Sequence, residues 1–197
     1  MQKLLAILIT SFTAMFVATA AFADHPALGI KPLAERKVTQ LPDGNLFWRI
    51  ENVATREAAQ AAAGEWGLVA EADGKVWLFT LGATGGSTGA GTKVAEVGPI
   101  PRFDAAVYLL RINEARGTPG ARTPVHTHPG SEAFFVLKGE QSIRGPKGVL
   151  KVKALQPEAG SGSDVPMEVS STGSTDLHSL VMFVVDANRP FSSPAKF

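Results

Sequence analysis

Three residues within one short stretch have the types and spacing for metal chemistry: His126, His128 and Glu132. Two histidines two apart point to the same face if the segment is a strand. Pro129-Gly130-Ser131 can then reverse the chain, so that Glu132 opens the returning strand beside His128. Imidazole suits zinc, copper, iron and nickel, and a carboxylate extends the choice to manganese. Two histidines and one carboxylate with open positions are also the ligand set of non-haem iron oxygenases. Taken alone, a His-x-His pair is weakly specific and can stand on a strand by accident.

The remaining histidines are His25 and His178. His25 stands near the start of the chain and reads as a solvated tail residue. His178 lies on an apolar strand pattern, where alternation groups it with Leu180, Met182 and Val184. The other face carries Leu177, Ser179, Val181, Phe183 and Val185. Both faces are apolar, so the pattern does not say which one points inward. His178 is therefore a candidate fourth ligand, with a hydrogen-bonded supporting role as the alternative. Tyr108, Phe134 and Gln141 are candidate substrate contacts. Phe135, Met182 and Phe183 read first as core, and Arg144 as an exposed edge residue.

These residues need strands to hold them, and the chain supplies the pattern. Gly is 20 and Pro 13 of 197 residues, spread along the sequence, which suits short strands and turns better than a helical bundle. Strand patterns occur at 45–53, 66–72, 75–81 and 93–97, then at 105–114, 124–128, 132–138, 141–144, 149–154, 165–170 and 177–186. One short helix is expected at 54–63, with Thr55 able to cap it and Gly64 ending it. Asp73-Gly74 signals a hairpin. Residues 24–44, with Pro26, Pro32 and Pro42, read as an extended entry segment. The glycine-rich run 82–91 lacks a Gly-Lys-Ser/Thr ending and a following helix, so it is not a phosphate loop. Many short strands with turns between them point to a sandwich or small barrel.

Composition narrows the function classes. Lys+Arg is 19 and Asp+Glu 18, for a net charge of +1, so charge makes no case for nucleic acid or an anionic membrane. Cysteine is absent, which removes disulfides, thiolate metal sites and thiol catalysis. Residues 1–23 combine Lys3, an uncharged run from Leu4 and a small-x-small ending at Ala21-Phe22-Ala23. They read as a secretory signal peptide, which implies a periplasmic or secreted protein with no stable membrane association after cleavage. The alternative is an uncleaved N-terminal membrane anchor, since the run could just span a bilayer.

Residues 120–139 (GARTPVHTHPGSEAFFVLKG) resemble the first conserved motif of the cupin superfamily. Gly120, His126, His128, Glu132 and Gly139 stand at its five fixed positions with its spacings. The chain is similar to single-domain bacterial cupins, and the likeness covers roughly residues 104–186. It implies an all-β fold: a cupin-type small β-barrel, the double-stranded β-helix or jelly roll, with a metal in its mouth. The expected layout is a leader at 1–23, a β-rich extension with one short helix at 24–102, and the barrel at 103–197. The second cupin motif is incomplete. Gly160 and Pro166 match, but Glu168 stands at the next glycine and Ser171 at the histidine.

Three readings follow. The first is an exported enzyme using a divalent transition metal (Fe, Mn, Zn, Cu or Ni, not distinguished by sequence) on a small organic molecule, an oxygenase being the leading subtype. The second is a non-catalytic cupin binding a metal or small ligand. The third is a structural dimerisation module. Cupin-type sheets often pair across dimers, so even the third reading predicts a homodimer.

Overall fold

A computed structural model describes residues 25–197. The segment read as a leader, 1–23, lies outside the described residues. The fold is all-β with one short helix, as the sequence implies, and its strands form three layers.

The central layer is a five-stranded antiparallel sheet. It contains β1 (Gly29–Val38), β6 (Tyr108–Gly117), β13 (Leu177–Asp186), β8 (Gly130–Lys138) and β11 (Pro157–Ala159), in the spatial order β1-β6-β13-β8-β11. Opposite it stand β10 (Gly148–Lys153), β9 (Glu140–Gly145) and β12 (Glu168–Ser171), in the order β10-β9-β12. These two sheets make a small jelly-roll barrel. Phe134, Val136, Val181 and Phe183 from one wall meet Ile143, Val152 and Val169 from the other in its apolar interior. A two-stranded ribbon, β7 (His126–Thr127) with β14 (Ser193–Pro194), carries the histidine pair.

The third layer is the N-terminal extension. It is a four-stranded sheet of β3 (Gly67–Ala72), β4 (Lys75–Gly82), β2 (Leu46–Val53) and β5 (Gly91–Ile100). It lies on the outer face of the central sheet, where Trp48, Trp77 and Phe79 join Leu110, Phe135, Leu180, Met182 and Val184 in one buried cluster. Trp77 and Phe135 meet edge to face with ring centroids 6.0 Å apart. A sheet covered on both sides needs apolar residues on both faces. That is why β13 reads as apolar throughout, and its two faces now have separate duties.

Local chemistry explains the smaller elements. The helix α1 (Arg56–Ala62) starts at Thr55, whose Oγ1 accepts a bond from the Ala58 N–H at 3.2 Å. Asp73 and Gly74 both adopt positive φ (53° and 67°), as the tight β3–β4 hairpin requires. The glycine-rich loop after β4 is pinned by a carboxylate. Glu51 is fully buried, accepts bonds from Ser87 Oγ (2.7 Å) and the Thr88 N–H (3.0 Å), and pairs with Arg49.

Two parts of the chain depart from expectation. Within the extended entry segment, residues 29–38 form strand β1, paired with β6 in the barrel wall. This edge strand is mostly exposed and carries Pro32 at a register shift, so it lacks the alternation of a half-buried strand. The expected extension therefore contributes one strand to the barrel, across the 102/103 boundary. The short strands β11 and β14 also lacked a pattern long enough to read. Among the described residues, no helix is long and apolar enough to cross a membrane.

Candidate metal and ligand site

The interior of the barrel opens into a cavity of about 450 Å³. His126, His128 and Glu132 all line it. The β7–β14 ribbon presents the two histidines, and their rings lie 4.9 Å apart, edge to face. Glu132 sits on β8 and shares its inward face with Phe134, which also lines the cavity.

Hydrogen bonds fix the tautomer of each ring. His126 Nδ1 lies 2.8 Å from the Pro124 carbonyl oxygen, and His128 Nδ1 lies 2.6 Å from the Phe191 carbonyl oxygen. A carbonyl only accepts, so each Nδ1 must carry the proton. In the neutral ring, Nε2 then keeps its lone pair, the arrangement typical of metal-binding histidines. Burial pulls the His128 pKa down to about 4, against the opposing pull of the Phe191 carbonyl, with His126 and Arg111 lowering it further. His128 is thus neutral at pH 7.

Glu132 is buried, and its Oε1 has no hydrogen-bond partner. Burial pushes its pKa up to about 8. Such an orphaned buried oxygen is costly, by about 1–3 kcal/mol, unless something completes it. Gly160 stands behind this side chain. A Cβ there would lie 2.7 Å from Phe134 Cε2 and 2.8 Å from Glu132 Cγ. The glycine of the incomplete second motif therefore makes room for Glu132.

The donor types of this set, two imidazoles that leave Nε2 free and one buried carboxyl group that a bound cation would hold in its ionised form, fit a divalent transition metal. Its positions are not closed into a cage. Among the described residues, no group of three or more His, Asp or Glu side chains is placed to hold an ion as it stands.

His178, the candidate fourth ligand, does not line the cavity. It lies on the face of β13 with Leu180 and Met182, whereas Val181 and Phe183 line the cavity. Its Nε2 is 2.8 Å from Glu114 Oε1, and its Nδ1 is 3.9 Å from Asp73 in the β3–β4 turn. Of the candidate substrate contacts, Phe134 lines the cavity, and Tyr108 and Gln141 do not. Tyr108 packs between barrel and extension, and its hydroxyl donates to the Phe103 carbonyl at 3.2 Å. Gln141 is fully buried in the barrel but does not line the cavity, and both of its amide atoms lack partners. Ser171, at the position of the missing histidine, is opposite Gln141 in the sheet and its hydroxyl is also unpartnered. Glu168 pairs with Arg144 at 3.2 Å. His25 is exposed.

The cavity also contains residues that the sequence reading passed over. Arg111 and Asn113 enter from β6, and Phe191 enters from the C-terminal segment. A single arginine within the apolar run YLLRIN was the available signal for the first two. Nothing local marked Phe191, because its place depends on the return of the chain end over the barrel mouth.

No protein-family model and no curated protein matches the chain. Several solved structures are similar to part of it. A cupin-like protein from Thermotoga maritima matches at 16% identity over 44% of this chain and 64% of that one, with a TM-score of 0.39. A protein with a double-stranded β-helix domain from Klebsiella pneumoniae matches at 20% identity over 45% and 76%, with a TM-score of 0.38. A DMSP lyase from Ruegeria pomeroyi matches at 18% identity over 44% and 43%, with a TM-score of 0.38. The chain thus spans less than two thirds of the Thermotoga protein and less than half of the lyase.

Proposed function

We propose that this protein is an exported metal-dependent cupin that takes a small organic molecule into the barrel. The metal is a divalent transition metal held by His126, His128 and Glu132. The observation that carries this reading is the orphaned Glu132 oxygen in a cavity shared with two histidines whose Nδ1 atoms are both tied to carbonyls. A cation would complete the carboxylate and use the two remaining lone pairs.

A metal held there by His126, His128 and Glu132 would supply Lewis acidity toward water or substrate. The chain's own residues perform the rest. The carbonyls of Pro124 and Phe191 hold the ring orientations, and Gly160 leaves room for the carboxylate. Phe134, Val181 and Phe183 give the ligand an apolar bed and keep water out. An oxygenase on a small organic molecule is the leading catalytic subtype, and export through the 1–23 leader places the protein in the periplasm or outside the cell.

Calorimetric titration of metal-stripped protein with manganese, iron(II) and zinc tests the site. One-to-one binding that falls at least tenfold in His126→Ala and His128→Ala is expected. Equal binding by parent and variants overturns the assignment. Oxygen consumption with small phenols, diols and sugars then separates turnover from ligand storage.

A further inference from the structure

The cavity holds one permanent cation, and its surroundings leave it undercompensated. Arg111 is on β6 in the same cross-strand row as Phe183 on β13 and Glu132 on β8. Neighbouring strands are about 4.8 Å apart, so Arg111 and Glu132 are separated at the backbone by about 10 Å, with Phe183 between them. The guanidinium lies over the Phe191 ring at 4.2 Å from its centroid. Its Nε donates to Asn113 Oδ1 at 2.9 Å. Among the described residues, its Nη atoms have no hydrogen-bond acceptor. The nearest carboxylate is Glu35, at 3.8 Å and more than half exposed.

A guanidinium presents five N–H donors in a rigid fork. A charge held in an apolar pocket is costly unless it is paired. The exposed Glu35 is a weak partner, because water screens it. Glu132 forms no ion pair with Arg111, since Phe183 stands between them in the row. Asn113 fixes one edge of the fork and Phe191 stacks on its face, so the guanidinium is oriented before any ligand arrives. That is the arrangement for bidentate capture of a planar anion.

The geometry points to Arg111 as the residue that selects the ligand of this cavity: a small molecule with a carboxylate at one end and an apolar, preferably aromatic, body. The carboxylate docks on the Arg111 fork, the body lies on Phe183 and Val181, and the far end reaches the His126–His128–Glu132 side. This assignment deepens the reading of the cavity as a small-molecule site and rests on it, but it does not require the metal.

The test is calorimetric binding of matched probes: benzoate, phenylacetate and 3-phenylpropionate against their primary amides. It is run on the purified full chain, both metal-stripped and with manganese added. The expected result is at least a tenfold preference for one or more carboxylates over the matched amide, in both states. Arg111→Gln is expected to abolish the preference by weakening only the carboxylate, and Arg111→Lys to keep part of it. Should Arg111→Gln fail to fold by circular dichroism, Glu35→Gln decides, because this exposed change removes the competing carboxylate. It is expected to widen the preference several-fold. Equal affinity for acid and amide, or a preference unchanged in Arg111→Gln or Glu35→Gln, overturns the assignment. If no probe of either kind binds, the small-molecule reading falls and this one with it. A preference that survives where manganese, iron(II) and zinc all fail to bind overturns the metal alone.

Discussion

His178 and Glu132 are two buried titratable residues with opposite circumstances. His178 is fully engaged by Glu114 on a face that meets the extension, while Glu132 faces the cavity with a free oxygen. Replacing His178 by Ala should therefore leave metal content unchanged. It should cost about 1–3 kcal/mol of stability, because Glu114 loses a buried partner. Metal analysis beside a urea melt checks both halves, and loss of metal with stability intact would restore His178 as a ligand. Gly160→Ala makes a complementary prediction. Its Cβ would press on Phe134 and Glu132, so overpacking of about 1–3 kcal/mol and weaker metal binding are expected together. A variant that binds metal as the parent does would show that Glu132 needs no such room.

Elements explain what could be read in the sequence and what could not. The strands β6, β8 and β13, the hairpin at Asp73-Gly74 and the Thr55-capped helix were legible, because each carries its signal locally. The pair His126 and His128 and the returning Glu132 were legible for the same reason. Strand β1 was hidden because an exposed edge strand with Pro32 has no burial pattern to show. The side taken by His178 was hidden because the central sheet is buried on both faces. Tyr108 looked like a cavity aromatic only while the layer that covers it was unknown.

The loop after β4 yields a pH prediction at this same scale. Burial alone would raise the Glu51 carboxyl, but the bonds from Ser87 and Thr88 and the Arg49 charge outweigh it and hold the pKa below its ordinary 4.5. The unfolded state then binds its proton first as pH falls. The stability that Glu51 contributes is present above pH 4.5 and is lost as pH drops through its lowered folded value. Amide exchange at Ser87 and Thr88 should rise across that window in the parent, and Glu51→Gln should flatten the response. A parent whose loop exchange is indifferent to acid would remove Glu51 from this role.

The whole molecule is a barrel whose outer wall is finished by a second sheet. Leu110, Ile112, Leu180, Met182 and Val184 are each almost wholly buried beneath that sheet. Each such side chain contributes about 1.5–3 kcal/mol when buried. A chain cut to residues 103–197 exposes them together and also loses β1, so it should aggregate or remain unfolded by circular dichroism. A folded, monomeric fragment would show that the barrel stands alone. The extension thus completes the wall on which Arg111, Phe183 and Glu132 are aligned. Elemental analysis of the protein purified from its native compartment, alongside a His126→Ala/His128→Ala double variant, tests for the metal itself. Close to one equivalent of a single divalent transition metal in the parent, and almost none in a folded variant, is the predicted result. A parent free of such metals, or a variant that carries as much, would contradict it.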